Sequence, residues 1–228
     1  PSVHRPGSLI IVTDASGDDG VGGYALLADA PHEVFLVSDW WPSDVRAALQ
    51  ASADEAQAAL RRGGSRDALP YLPMPAAELA GQLLVAELAA REAARRGLRV
   101  RRVIAVGDCE PATRALDALH SSSSPHMRSL VQRAELAPWR WLSVQVPRDA
   151  NVDADRLSHP SEAAAVLGEV AAAHLTPTRL GGANGSVAEA DWEATRRAIA
   201  AGAPASQRRR YKRRRRSTAA RDAEGPRA

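Results

Sequence analysis

The stretch Leu9-Ile10-Ile11-Val12-Thr13-Asp14-Ala15-Ser16 decides how the rest of the chain is read. Residues 8–13 are an apolar run bounded by Pro6-Gly7 on one side. On the other side lies the turn-forming Ser16-Gly17-Asp18-Asp19-Gly20. That pattern predicts a buried strand that ends in an aspartate. A carboxylate in that position is costly to bury unless it is paired or holds a cation. A second apolar run, Val103-Ile104-Ala105-Val106-Gly107-Asp108, ends the same way. Taken singly, each aspartate also reads as an ordinary cap at a strand end or helix start.

Working outward, Val21 to Ala28 reads as a second strand, in which Gly22 and Gly23 signal a bulge or a close backbone approach. Glu33 to Ser38 alternates as a third strand, so the chain opens on a three-strand meander. Residues 42–73 read as an insertion: Asp44 to Arg62 is Ala-rich and helical in character, and Gly63-Gly64 and three prolines follow it. Pro75 then opens a helix that runs to about Arg96 with Gly97 as its stop, and Leu79, Leu83, Ala86 and Ala90 recur on one face. Glu78 falls in its first turn, where a glutamate by itself is ordinary. Val100 to Gly107 is a fourth strand and Trp141 to Val146 a fifth, with helices expected from Pro111 and Pro125 between them. Asn151 to Ser158 and Glu162 to His174 continue as helix.

The expected architecture is α/β: a five-stranded mixed sheet, its first three strands antiparallel, flanked by helices. Residues 1–174 form the domain, 175–206 a linker with a short helix near Asp191 to Ala201, and 207–228 a polar tail expected to be disordered.

Charge divides the chain. Of 30 basic and 27 acidic residues, ten and two fall in 207–228, which leaves 20 against 25 in the first 206. An acidic body grips a phosphate backbone poorly, so any grip must come from local arginines, bound metal, the tail or a neighbouring domain. The run Arg208-Arg209-Arg210-Tyr211-Lys212-Arg213-Arg214-Arg215-Arg216 suits polyanions or nuclear import, and the sequence does not separate the two. A single cysteine, Cys109, excludes an internal disulfide and fits a reducing, intracellular setting. No apolar run is long enough for a membrane span. The chain begins with Pro1 rather than Met, as expected of a piece of something longer.

A fourth acid, Asp155, is the most specific signal. It lies in Pro147-Arg148-Asp149-Ala150-Asn151-Val152-Asp153-Ala154-Asp155-Arg156-Leu157-Ser158, directly after a strand. Asn151 and Asp155 are four apart and share a helix face, and the small Ala154 suits close packing on the sheet. Trp40-Trp41 ends the third strand and either stacks on a sugar or base or, as the better reading, packs in the core or at the sheet edge; Trp139 and Trp141 likewise read as core.

Thr13-Asp14-Ala15-Ser16 with Gly22-Gly23, Glu78-Leu79, Gly107-Asp108-Cys109 and the 147–158 string together resemble the ribonuclease H domain attached to reverse transcriptases of retroelements. They are most similar to those of the DIRS-type, tyrosine-recombinase retrotransposons. The resemblance spans about residues 8–160. It implies a ribonuclease H-like fold and hydrolysis of the RNA strand of RNA–DNA hybrids during reverse transcription. Asp14, Glu78, Asp108 and Asp155 would be the catalytic, metal-binding carboxylates. They would hold two Mg²⁺ about 4 Å apart, with Mn²⁺ as a substitute, one ion activating water and the other stabilising the leaving 3′ oxygen. Ser16, Arg148, Asn151, Arg208, Arg209, Arg210, Lys212 and Arg213 would contact nucleic acid, beside a polymerase domain of the same polyprotein.

The chain departs from cellular ribonucleases H in having no His in the loop before Asp155, and His159 reads as a surface residue. The alternative is a catalytically silent module of this fold that serves as a scaffold or nucleic-acid-binding unit beside a polymerase.

Overall fold

The computed structural model describes residues 5–17, 19–63, 73–120, 125–181 and 186–202. Strands β1 (Ser8–Ala15), β2 (Gly20–Leu27) and β3 (Ala30–Trp40) form the expected antiparallel meander. β4 (Arg102–Gly107) lies parallel to β1, and β5 (Arg140–Gln145) parallel to β4. A sixth strand, β6 (Thr176–Arg179), lies parallel to β3 and completes the order β5-β4-β1-β2-β3-β6. The mixed sheet is as expected, but it has six strands where the sequence indicated five. Thr176-Pro177-Thr178-Arg179 carries no apolar alternation, and its proline is tolerated because the strand sits at an edge. Nothing local marks it; its pairing with Glu33–Leu36 makes it a strand.

Helices cover both faces. The larger core gathers Leu9, Ile11, Phe35, Val37, Val103 and Ala105 from the sheet under α2 (Pro73–Arg95), with Ala112 and Leu116 of α3 (Glu110–Ala118) and Leu130 of α4 (Pro125–Glu135). Val45 and Leu49 of α1 (Ser43–Arg61) join it, so the first half of the stretch read as an insertion packs into the body. The smaller core lies on the other face, where Val34 and Leu36 meet Leu157 of α5 (Val152–Ser158) and Val166 of α6 (Ala163–Ala172). With one Phe in the chain, α2 relies on Ala77, Ala80, Ala86, Ala89 and Ala93 to lie close to the sheet. Among the described residues no helix is long and apolar enough to cross a membrane.

The helix α7 (Glu189–Gly202) packs on α4 and α2. Trp192 is buried in the large core, Asp191 pairs with Arg91 at 2.7 Å, and Arg196 pairs with Asp44 at 2.9 Å. The Trp40-Trp41 pair divides. Trp41 is buried against Trp192, with ring centroids 5.6 Å apart, and its indole N–H donates to the Ser16 carbonyl at 2.7 Å. Trp40 is 48% exposed, so of the expected core or edge packing it does not take the core place: a paired strand alternates faces, and at its end only one of two neighbours can point inward. Trp141 is core and donates to the Ala134 carbonyl at 2.9 Å. Replacing Trp41 by Phe keeps most of the packing and deletes the bond to Ser16. Chemical denaturation should show a loss of about 1 kcal/mol.

Candidate metal centre

The directions of the strands bring the acids together. β1, β4 and β5 run in parallel, so Asp14, Asp108 and the Pro147-Arg148 segment all emerge at one end of the sheet. The register Val12↔Val106, carried two residues further, sets Asp14 beside Asp108. Helix α2 starts at that end, at Pro73 rather than at the expected Pro75, and supplies Glu78 from its second turn. One carboxylate oxygen from each of Asp14, Glu78 and Asp108 lies within 4.8 Å of the others. Asp14 is 8% exposed, Glu78 is 6% exposed and Asp108 is half-buried.

Two glycines allow the approach. A Cβ at Gly81 would lie 2.8 Å from Val21 Cγ2, so a larger residue would push α2, and Glu78 with it, away from the sheet. On the opposite face a Cβ at Gly22 would lie 2.0 Å from the Leu157 carbonyl carbon. Only glycine lets α5 settle on β2 so closely.

Asp155 comes in on α5. It falls outside the triad but acts electrostatically on Asp14, and its side chain is 3.8 Å from the Arg148 guanidinium. Asn151 is 1% exposed and donates to the Thr13 carbonyl at 3.1 Å. The residue expected to touch nucleic acid is therefore occupied in pinning α5 to β1. Ser16 sits in the β1–β2 turn, where its hydroxyl accepts from the Asp19 N–H at 3.3 Å. Arg148 is exposed at the rim. Arg208, Arg209, Arg210, Lys212 and Arg213 lie outside the described residues. His159, read as a surface residue, is partly buried and bonds through Nδ1 to Asp19 at 2.6 Å, and this bond raises its pKa.

Burial and like charge dominate the electrostatics. The Glu78 carboxyl is pushed up to about 9, first by burial and then by Asp14 and Asp108, against weaker opposition from the Ala15 backbone and Arg148. Burial also raises Asp14, and it lifts the Cys109 thiol to about 11, so that thiol is neutral and unreactive near pH 7. An uncompensated acid cluster of this kind favours either protons or a hard cation with oxygen ligands, and the donor set fits a divalent ion.

The sign of the pH effect follows. Glu78 ionises at its ordinary 4.5 in the unfolded chain and at about 9 in the folded one, so the folded state binds more protons between these values. Stability from its neutral form is complete below 4.5 and is lost as pH rises through 9. Thermal unfolding in EDTA should show a melting temperature that falls across that window, and Glu78→Gln should flatten the fall. Mg²⁺ should oppose it and release protons on binding.

Gln82, which drew no attention in the sequence, is buried beside Gly107, the neighbour of Asp108. It interrupts the apolar Leu79-Ala80-Gly81-Gln82-Leu83-Leu84 one turn after Glu78, and a polar residue on a buried helix face was the available signal.

No protein-family model and no curated protein matches the chain. Solved structures do. The N-terminal ribonuclease H domain of a Mycobacterium tuberculosis protein, fused to maltose-binding protein, is 18% identical, with 66% of this chain and 95% of that one covered at a TM-score of 0.42. Ribonuclease H1 of the halophilic archaeon Halobacterium salinarum is 16% identical, with 66% and 92% covered at a TM-score of 0.39. A ribonuclease H1 isolated from compost by a metagenomic approach is 17% identical, with the same coverage at a TM-score of 0.32.

Proposed function

We propose that this chain is a metal-dependent ribonuclease that hydrolyses the RNA strand of RNA–DNA hybrids. The observation that carries the reading is the meeting of Asp14, Glu78 and Asp108, from three separate elements, at the carboxyl end of a mixed sheet with Asp155 at their rim. These residues would hold Mg²⁺, or Mn²⁺ in its place. A cation bound there would polarise a phosphoryl oxygen and lower the pKa of water. The chain's own residues do the rest. The carboxylates fix where a scissile phosphate can sit, and Arg148, exposed beside Asp155, offers a forked donor to a neighbouring phosphate. Discrimination for RNA rests on its 2′-OH and on the shape of the hybrid rather than on base sequence. The motifs at Asp14, Glu78, Asp108 and 147–158 support a retroelement setting beside a polymerase domain, with the basic run of 208–216 as a further polyanion contact or an import signal.

The test is cleavage of end-labelled RNA–DNA, RNA–RNA and DNA–DNA duplexes in Mg²⁺. RNA should be cut in the hybrid alone, and EDTA should stop the reaction. A folded protein that cuts nothing in Mg²⁺ or Mn²⁺ overturns the enzyme reading and leaves the silent scaffold.

A further inference from the structure

One residue below the acids lies a buried polar layer centred on Thr13. Thr13 precedes Asp14. Its sheet neighbours are Gly23, paired with it on β2, and Gly107 on β4, one register step beyond Val12↔Val106. Gly107 precedes Asp108. The two glycines leave the sheet without side chains on either side of Thr13, and the amide of Gln82 occupies the opening: its Nε2 is 3.0 Å from where a Cβ of Gly107 would stand. The Thr13 carbonyl is 3.7 Å from that same point. Gln82 is one turn after Glu78, and Asn151, which donates to the Thr13 carbonyl, is one turn before Asp155. Each of the four acids is thus one residue or one helical turn from a member of this layer.

The layer is polar where apolar packing would be expected. Thr13 is fully buried and Gln82 is 1% exposed, yet among the described residues Thr13 Oγ1, Gln82 Oε1 and Asn151 Oδ1 have no hydrogen-bond partner. Buried polar atoms of this kind are normally satisfied. A Thr13 hydroxyl brought within reach of Gln82 Oε1 would donate to it and satisfy both.

We propose that Gln82, acting with Thr13, is a positioning residue that sets the spacing of Glu78 against Asp14 and Asp108. The proposal rests on the metal-centre reading above. The amide lies between α2 and the β1–β4 seam, its Nε2 3.0 Å from the Cβ position of Gly107, so a hydrogen bond from Thr13 to its Oε1 would limit how far Glu78 can move when a cation draws the three together. An apolar side chain of the same volume would fill the space without that tie.

The experiment is Mn²⁺ binding by calorimetry on the full chain for wild type, Gln82→Met, Thr13→Val and Leu88→Ala, with melting temperatures alongside. Gln82→Met should weaken Mn²⁺ binding about tenfold, the lower end of what outer-shell partners of metal ligands contribute. Thr13→Val, of the same shape, should weaken it in the same direction and keeps the test open if the Met variant fails to fold. Leu88→Ala, in the apolar part of α2, should lower the melting temperature and leave affinity unchanged. Unchanged affinity in both Gln82→Met and Thr13→Val overturns the proposal, as does an equal loss in Leu88→Ala, which would mark a general packing effect. A wild type that binds no Mn²⁺ overturns the metal-centre reading and this proposal together.

Discussion

Asp14→Asn should abolish metal-dependent cleavage of an RNA–DNA hybrid, with a rate at least roughly 10³-fold below wild type, or about 4 kcal/mol of barrier. Asp14 is one of the three clustered carboxylates. It is buried at the end of β1, raises the pKa of Glu78, and is itself raised first by burial and then by Asp108 and Asp155. Removing its charge would remove one of the three proposed ligands and weaken the demand for a cation at the other two. The same change relieves like-charge repulsion in the metal-free protein, so its melting temperature in EDTA should hold or rise while activity disappears. That combination separates the loss of a functional carboxylate from the loss of a fold. A variant that cleaves within tenfold of wild type would remove Asp14 from the site.

Gly22→Val should cost about 3 kcal/mol, a fall of roughly 6–12 °C in melting temperature. The obstacle is backbone: a Cβ at residue 22 would lie 2.0 Å from the Leu157 carbonyl carbon, 2.2 Å from its oxygen and 2.3 Å from the Ser158 nitrogen. No rotamer change relieves contacts with main-chain atoms, so α5 must lift from β2. Lifting it breaks the bond from the Ser38 hydroxyl to the Leu157 carbonyl, 2.5 Å long and buried. It also strains the Asn151–Thr13 tie and moves Asp155 away from Asp14. Cleavage should therefore fall together with stability. Gly168→Ala in α6 is the matched control: nothing lies within 4 Å of its Cβ position, and a helix-interior alanine should stabilise by about 1 kcal/mol. Thermal melts of the two variants, run side by side, decide whether the close approach at Gly22 is as tight as its geometry requires.

Much of the fold was legible in the sequence because its signals are local. The apolar runs ending at Asp14 and Asp108 are strands, Gly97 stops α2 in a left-handed conformation at φ 75°, and Pro111 and Pro125 each lie at or beside a helix start, while α2 begins at Pro73, two residues before the expected Pro75. β6 was not legible, because its four residues become a strand only by pairing with β3. The burial of Trp41 and the exposure of Trp40 were not legible either, since two adjacent tryptophans carry the same local signal.

The sequence by itself determined the parts: strands that end in acids, a glutamate near the start of a long helix, and a small-residue helix that follows β5. Periodicity, glycine and proline act over a few residues, and a single chain displays them. Tertiary structure decided what the parts do to one another. It put Asp14, Glu78 and Asp108 within 4.8 Å with Asp155 at their edge, raised Glu78 to about 9, and turned Asn151 inward. It also laid Gln82 over Gly107. Each of these depends on the register between segments distant in sequence and on the removal of water from between them, and both arise only when the chain closes on itself.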